Sequence, residues 1–110
     1  MGKGDFLGEF EQLVLLAVLR LGSEAYGLAV RREIALRTGR EAAIGAVYAT
    51  LDRLEEKDLV TSQLAGATPT RGGRAKRCFH LTAQGERTLR TSQKALARML
   101  DGLSPSWRLA

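Results

Sequence analysis

From Gly8 onward the apolar residues Phe10, Leu13, Val14, Ala17, Val18 and Leu21 recur at the i, i+3, i+4, i+7 spacing of an amphipathic helix. Leu15, Leu16 and Leu19 widen that stripe, so this helix is expected to be buried on more than one side. Gly22 marks its stop. Ser23 is suited to cap a second helix over roughly Ala25 to Thr38, with Leu28, Ile34 and Leu36 apolar and Gly39 as the next stop. Residues 40–44 form a short connection. A third helix, Gly45 to Lys57, brings Val47, Leu51 and Leu54 to within about 60° of one another as its buried stripe. Gly45, Ala49, Asp52, Arg53 and Glu56 then face away, with Tyr48 and Thr50 on the flanks.

The period changes after Lys57. Leu59 to Leu64 and Ala75 to Leu81 read as strands, joined by a Gly- and Arg-rich loop over residues 65–74. Thr82 opens a last helix running to about Leu103, where Pro105 bars continuation. On it Leu89, Ser92, Leu96, Met99 and Leu103 are spaced 3, 4, 3, 4, a heptad seam reinforced by Ala95 and Leu100. Helix, strand, basic loop, strand is the layout of a winged helix, with the loop as the wing. The predicted fold is mainly α with a small β-hairpin. A winged helix-turn-helix spans 8–82, and a C-terminal dimerisation helix spans 83–103. A core of this size has little use for so long a final helix. A second copy of the chain is the most economical partner for it, and folding back onto the first helix is the competing arrangement.

The 110 residues suffice for one compact domain. Aromatics make up only 5%, so the core must rely on Leu, Val, Ile and Ala. Formal net charge is +5, and its distribution matters more than its size. Residues 1–65 carry eight basic and ten acidic groups, whereas Arg71, Arg74, Lys76 and Arg77 in 66–80 face no acid at all. A dense basic hairpin suits a polyanion through phosphate neutralisation and counterion release. The plainer reading of the same charges is a solvated hairpin tip. One cysteine, Cys78, excludes an internal disulfide and fits a reducing cytoplasm. The start of the chain has neither the apolar core of a signal peptide nor a myristoylation pattern, and no apolar run is long enough to span a membrane. A cytoplasmic protein is expected.

Candidate chemistry narrows the picture further. His80 and Cys78, two apart on a strand, are too few ligands for a closed zinc site. No nucleophile elbow accompanies the lone His80. The wing glycines lead into no helix and no Gly-Lys-Ser/Thr, so they do not make a phosphate-cradling P-loop. Neither an enzyme nor a cofactor is expected. The outward face of the third helix is small and uncharged apart from Arg53, which lets a helix press into a major groove. Acidic Glu55, Glu56 and Asp58 must then point away from phosphates. Arg71, Gly72, Gly73 and Arg74 combine a pliable backbone with guanidinium groups suited to phosphate or a narrow minor groove. Trp107 stands alone in the tail, either a packing anchor or the wall of an interfacial cavity.

Several segments resemble the PadR family of bacterial winged-helix transcriptional regulators. These are Ala25-Tyr26-Gly27, then Gly45-Ala46-Val47-Tyr48 with Leu51-Asp52-Arg53-Leu54-Glu55, Asp58-Leu59-Val60, and the run from Gly73 through Arg74, Lys76, Arg77, Phe79, Leu81 and Thr82 to Gly85. The resemblance covers about residues 8–103. Two departures stand out. Ala49 replaces the family's usual Pro and should straighten the helix start. Cys78 replaces one of two paired aromatics and should loosen hairpin packing. The resemblance implies a homodimeric repressor on a palindromic operator of double-stranded DNA, released by a small aromatic or drug-like effector near the dimer interface. With the outward helix face and the basic hairpin, DNA contacts are expected at Tyr26, Gly45, Tyr48, Ala49, Arg53, Arg71, Arg74 and Lys76. Tyr26 would set its hydroxyl on the DNA backbone near the positive end of its helix. The dimer seam would hold Leu89, Leu96, Met99, Leu100 and Leu103. Half-buried core aromatics remain the other reading of Tyr26 and Tyr48. A winged-helix module docking on an acidic protein remains the other reading of the whole.

Overall fold

A computed structural model describes residues 6–65 and 76–107. Helix α1 is Glu9–Leu21, followed by a 3-10 turn at Gly22–Glu24, α2 at Gly27–Thr38 and α3 at Ile44–Glu56. Strands β1, Val60–Ala65, and β2, Lys76–Leu81, precede α4, Ala83–Leu100, and a final 3-10 turn, Pro105–Trp107. The mainly helical winged-helix class stands, with each boundary within a few residues of the periodicity. None of the helices is long and apolar enough to cross a membrane, among the described residues.

The two predicted glycine stops hold because both residues take a left-handed φ, 56° at Gly22 and 77° at Gly39, that a side chain would resist. Ser23 does not cap α2. It is taken up in the 3-10 turn, its carbonyl accepts from Cys78 Sγ at 3.3 Å, and Tyr26 becomes the N-cap residue. At the other end of α1, the Gly8 amide donates to Glu11 Oε1 at 3.0 Å, and Lys57 Nζ pairs with Glu11 Oε2 at 3.2 Å. Burial alone would raise the Glu11 pKa. The Gly8 amide and Lys57 outweigh it and hold the carboxyl below its ordinary range. A depressed folded pKa stabilises above the unfolded value, and that stability is lost as pH falls through the folded one. Glu11→Gln should therefore lower the melting temperature at neutral pH, and the gap to the parent should close on acidification. A pH-independent gap would sink this account.

The core forms where the three α1–α3 stripes meet the hairpin. Val14, Leu15, Val30, Val47, Leu51, Leu54 and Phe79 are fully buried there. Thr50, expected on a flank, is buried too, because α3 is covered from two sides and its inward stripe takes four positions rather than three. Leu36, counted as apolar patterning on α2, is instead exposed. The hairpin is antiparallel from Val60↔Leu81 to Ala65↔Lys76. Its β2 edge is completed by a single bridge, Tyr26↔Cys78, with the Phe79 amide donating to Ala25 O at 3.0 Å. Cys78, standing where the family has an aromatic, is buried in this three-way junction.

Thr82 opens α4 as expected. Its hydroxyl accepts from the Gly85 amide at 2.9 Å and donates to Asp58 O at 2.7 Å. The helix then divides by burial. Leu89 (4% exposed) and Ser92 belong to the chain's own core, where Ser92 Oγ accepts from the Leu7 amide at 2.9 Å. Leu89 thus faces its own domain and is removed from the predicted seam. Beyond it Leu96 and Met99 are 56% and 76% exposed. The helix ends at Leu100, and left-handed Gly102 turns the chain before Leu103, so Leu103 follows α4 instead of completing its last turn.

Candidate nucleic-acid interface

The outward face of α3 begins at its first turn. Gly45 and Ala49 are exposed, and a Cβ on Gly45 would meet nothing within 4 Å. The helix runs unbroken through Ala49. Gly45→Ala should therefore leave the fold intact or raise its stability by about 0.4–1 kcal/mol. Any loss of DNA affinity in that variant reports on the space outside the helix, read by pairing a denaturant midpoint with a binding isotherm. A lowered midpoint would contradict the open surroundings of Gly45.

Tyr48, one turn after Gly45, is 39% exposed and lays its ring across α2. Gly27 exists to receive it, since a Cβ at position 27 would overlap the ring. Tyr26, half-buried at the head of α2, is held by its bridge to Cys78. That bridge brings β2 alongside, and Lys76 Nζ sits 5.2 Å from the Tyr26 ring centroid. The result is a groove of about 560 Å³ lined by Glu24, Tyr26, Leu28, Ala29, Arg32, Tyr48, Lys76 and Arg77. Three of the sequence-predicted residues, Tyr26, Tyr48 and Lys76, thus converge from three different elements. Gly45, Ala49 and Arg53 lie outside that lining on exposed α3. Arg53 turns back along its helix, with Nη2 donating to Thr50 Oγ1 at 3.2 Å. Arg71 and Arg74 of the wing lie outside the described residues.

Two residues of this face escaped the sequence analysis. Arg32 is one of three arginines on α2, with Arg31 and Arg37. Arg31 Nε is spent on Ala42 O at 2.8 Å, and Arg37 on Glu33 at 2.6 Å. Arg37 and, beyond it, Arg20 outweigh the desolvation of Glu33 and hold its carboxyl below the ordinary range. Arg32 has no such partner among the described residues and is exposed where it lines the groove. The 100° helical rotation separating it from Arg31 was the available signal.

Arg77 is the second. Its Nη1 pairs with Asp52 Oδ1 at 3.2 Å and its Nη2 with Glu55 Oε1 at 2.7 Å. Its guanidinium also lies 4.9 Å from the Phe79 ring centroid. Its charge, counted with the basic hairpin, is therefore compensated locally and does not add to the polyanion-attracting set. The same pairing deals with Glu55, which was expected to need a direction away from phosphate. His80 is half-buried, opposite Thr61 in the hairpin. No group of three or more His, Cys, Asp or Glu residues able to hold a metal occurs among the described residues.

Residues 15–91 match the transcriptional regulator PadR-like family. No curated protein matches the chain. Among solved structures, the fold is similar to a PadR family transcription regulator from hypervirulent Clostridium difficile R20291, at 24% identity and a TM-score of 0.68, covering 84% of this chain and 92% of that one. It is also similar to a PadR family transcriptional regulator from Eggerthella lenta DSM 2243, at 27% identity and a TM-score of 0.67, covering 86% and 81%. H. salinarum RosR aligns at 25% identity and a TM-score of 0.66, covering 89% and 81%. The family match takes in the second half of α1, all of α2, α3 and the hairpin, and the first half of α4, and with it the chain belongs to the PadR-like family of DNA-binding transcriptional regulators rather than to any class of enzyme.

Proposed function

We propose that this chain is a cytoplasmic, dimeric repressor that reads an inverted-repeat operator and leaves it when a small aromatic effector binds. The observation that carries the DNA-reading part is the convergence of Tyr26, Arg32, Tyr48 and Lys76 around one groove, one helical turn from the bare surface at Gly45 and Ala49. In this reading α3 enters the major groove, where small residues let its backbone approach base edges. Arg53 swings from Thr50 to a phosphate or, less directly, a guanine. Tyr48 offers its hydroxyl to a phosphate or base edge. Tyr26, Arg32 and Lys76 hold the flanking backbone, and Arg71 and Arg74 of the wing extend that grip.

The dimer rests on the outer half of α4. Leu96, Met99, Leu100 and Leu103 are exposed apolar residues in one stretch of the chain, and Trp107 in the turn that follows is 72% exposed. Residues 8–82 serve as the reading domain and 83–103 carry the assembly surface, whose exposed part begins after Ser92. An aromatic effector would enter between the paired α4 helices near Trp107 and change the separation of the two reading heads.

Selection of bound duplexes from a random library tests the proposal. An inverted repeat with half-sites about one helical turn apart is the expected product. Salt-labile binding with no recovered motif would overturn it.

A further inference from the structure

Arg77 lines the groove, yet its guanidinium is paired with carboxylates, and its network joins α3 to the two strands of the hairpin. Asp52 and Glu55 lie one turn apart on α3, and Arg77 lies on β2 next to Lys76, both lining the groove. One guanidinium spans both carboxylates, at 3.2 and 2.7 Å. Ser62 on β1 donates to the other Glu55 oxygen at 2.8 Å, so α3, β1 and β2 meet in one cluster. The plane of Arg77 rests near Phe79, a wholly buried core residue. Only a planar fork can meet two carboxylates in this way, and a lysine cannot reproduce it. The cluster holds two acids against one base, so it does not attract phosphate.

We infer that Arg77 is a positioning residue: a strut that sets the angle of the hairpin strands to α3, so that hairpin and helix engage one stretch of DNA together. This rests on the proposed DNA-reading function. The strut governs discrimination between operator and random sequence, and it contributes no phosphate contact of its own.

The test compares the full-length chain with Arg77→Ala, Glu55→Gln and the double variant on the selected operator and on a random duplex. Each single variant should lower the operator-to-random affinity ratio by about tenfold, and the double variant by no more than either alone. Glu55→Gln is the decisive member, because it makes the protein more positive. Charge alone would tighten binding to both duplexes and leave the ratio unchanged. It also leaves Arg77 paired with Asp52, which guards against unfolding. Without DNA, amide exchange in the hairpin should quicken in both single variants. An unchanged ratio in Glu55→Gln overturns the strut, as do losses that multiply in the double variant, which would mean Arg77 touches DNA itself. Unchanged hairpin exchange overturns it independently of any DNA. If the parent chain itself prefers no sequence, the proposed function falls first and this inference with it.

Discussion

Gly85→Ala should unseat α4 and cost about 1–3.5 kcal/mol, a large share of the stability of a domain this small. Gly85 is buried in the first turn of α4, and a Cβ there would overlap the carbonyl oxygen of Leu59. That oxygen belongs to the backbone and cannot rotate aside. It already accepts from the Thr82 amide at 3.0 Å, while the Leu59 amide is tied to Leu54 O at 2.9 Å. The helix must move instead. Movement breaks the Thr82 cap on the Gly85 amide and the Thr82 link to Asp58, and it pulls Leu89 from the core. Loss of a cap costs about 1 kcal/mol by itself, and overpacking typically costs about 1–3 kcal/mol. Against this, alanine gains only about 0.5–1 kcal/mol from its better helix propensity. A denaturant midpoint decides the matter, with Gly45→Ala as the matched glycine substitution in open space. A parental midpoint for Gly85→Ala would show that the contact is not rigid.

The largest functional effect is expected from the pair Arg32→Ala with Lys76→Ala. Both cations line the groove between α2 and β2, and both are exposed. Lys76 adds only its contact with the Tyr26 ring, worth about 0.5–1 kcal/mol at an exposed site, so the fold should survive. Each phosphate contact contributes about 0.9 to the slope of log affinity against log salt, so losing two should flatten it by about 1.8. Affinity at moderate salt should fall on the order of a hundredfold, on operator and random duplex alike, since phosphates carry no sequence information. That common loss separates these residues from Arg77, whose removal should act on the ratio. An unchanged salt slope would place the groove away from the DNA backbone.

Much of this molecule was legible in its local pattern. The four helices, both strands, the stops at Gly22 and Gly39 and the cap at Thr82 follow from spacing and from residues whose conformational preferences act within a few positions. The stripe of Val47, Leu51 and Leu54 and the bare face at Gly45 and Ala49 follow from helical rotation alone. The motifs resembling the PadR family lie in those same elements, which is why family membership was readable before any coordinates.

Other features depended on pairings between distant residues. Arg77 meets Asp52 and Glu55 across more than twenty positions, and so reverses the apparent meaning of three charges. Tyr26 meets Cys78 across fifty-two, which is what carries Lys76 to the Tyr26 ring and makes a groove of residues that sequence could only name singly. The even heptad of α4 gave no sign that Leu89 and Ser92 would be absorbed by α1 and the N-terminal segment while Leu96 and Met99 stayed outside. Periodicity records which way a side chain leaves its own helix or strand. What waits on that side is settled only when the elements dock, because burial and ion pairing are properties of the space between elements.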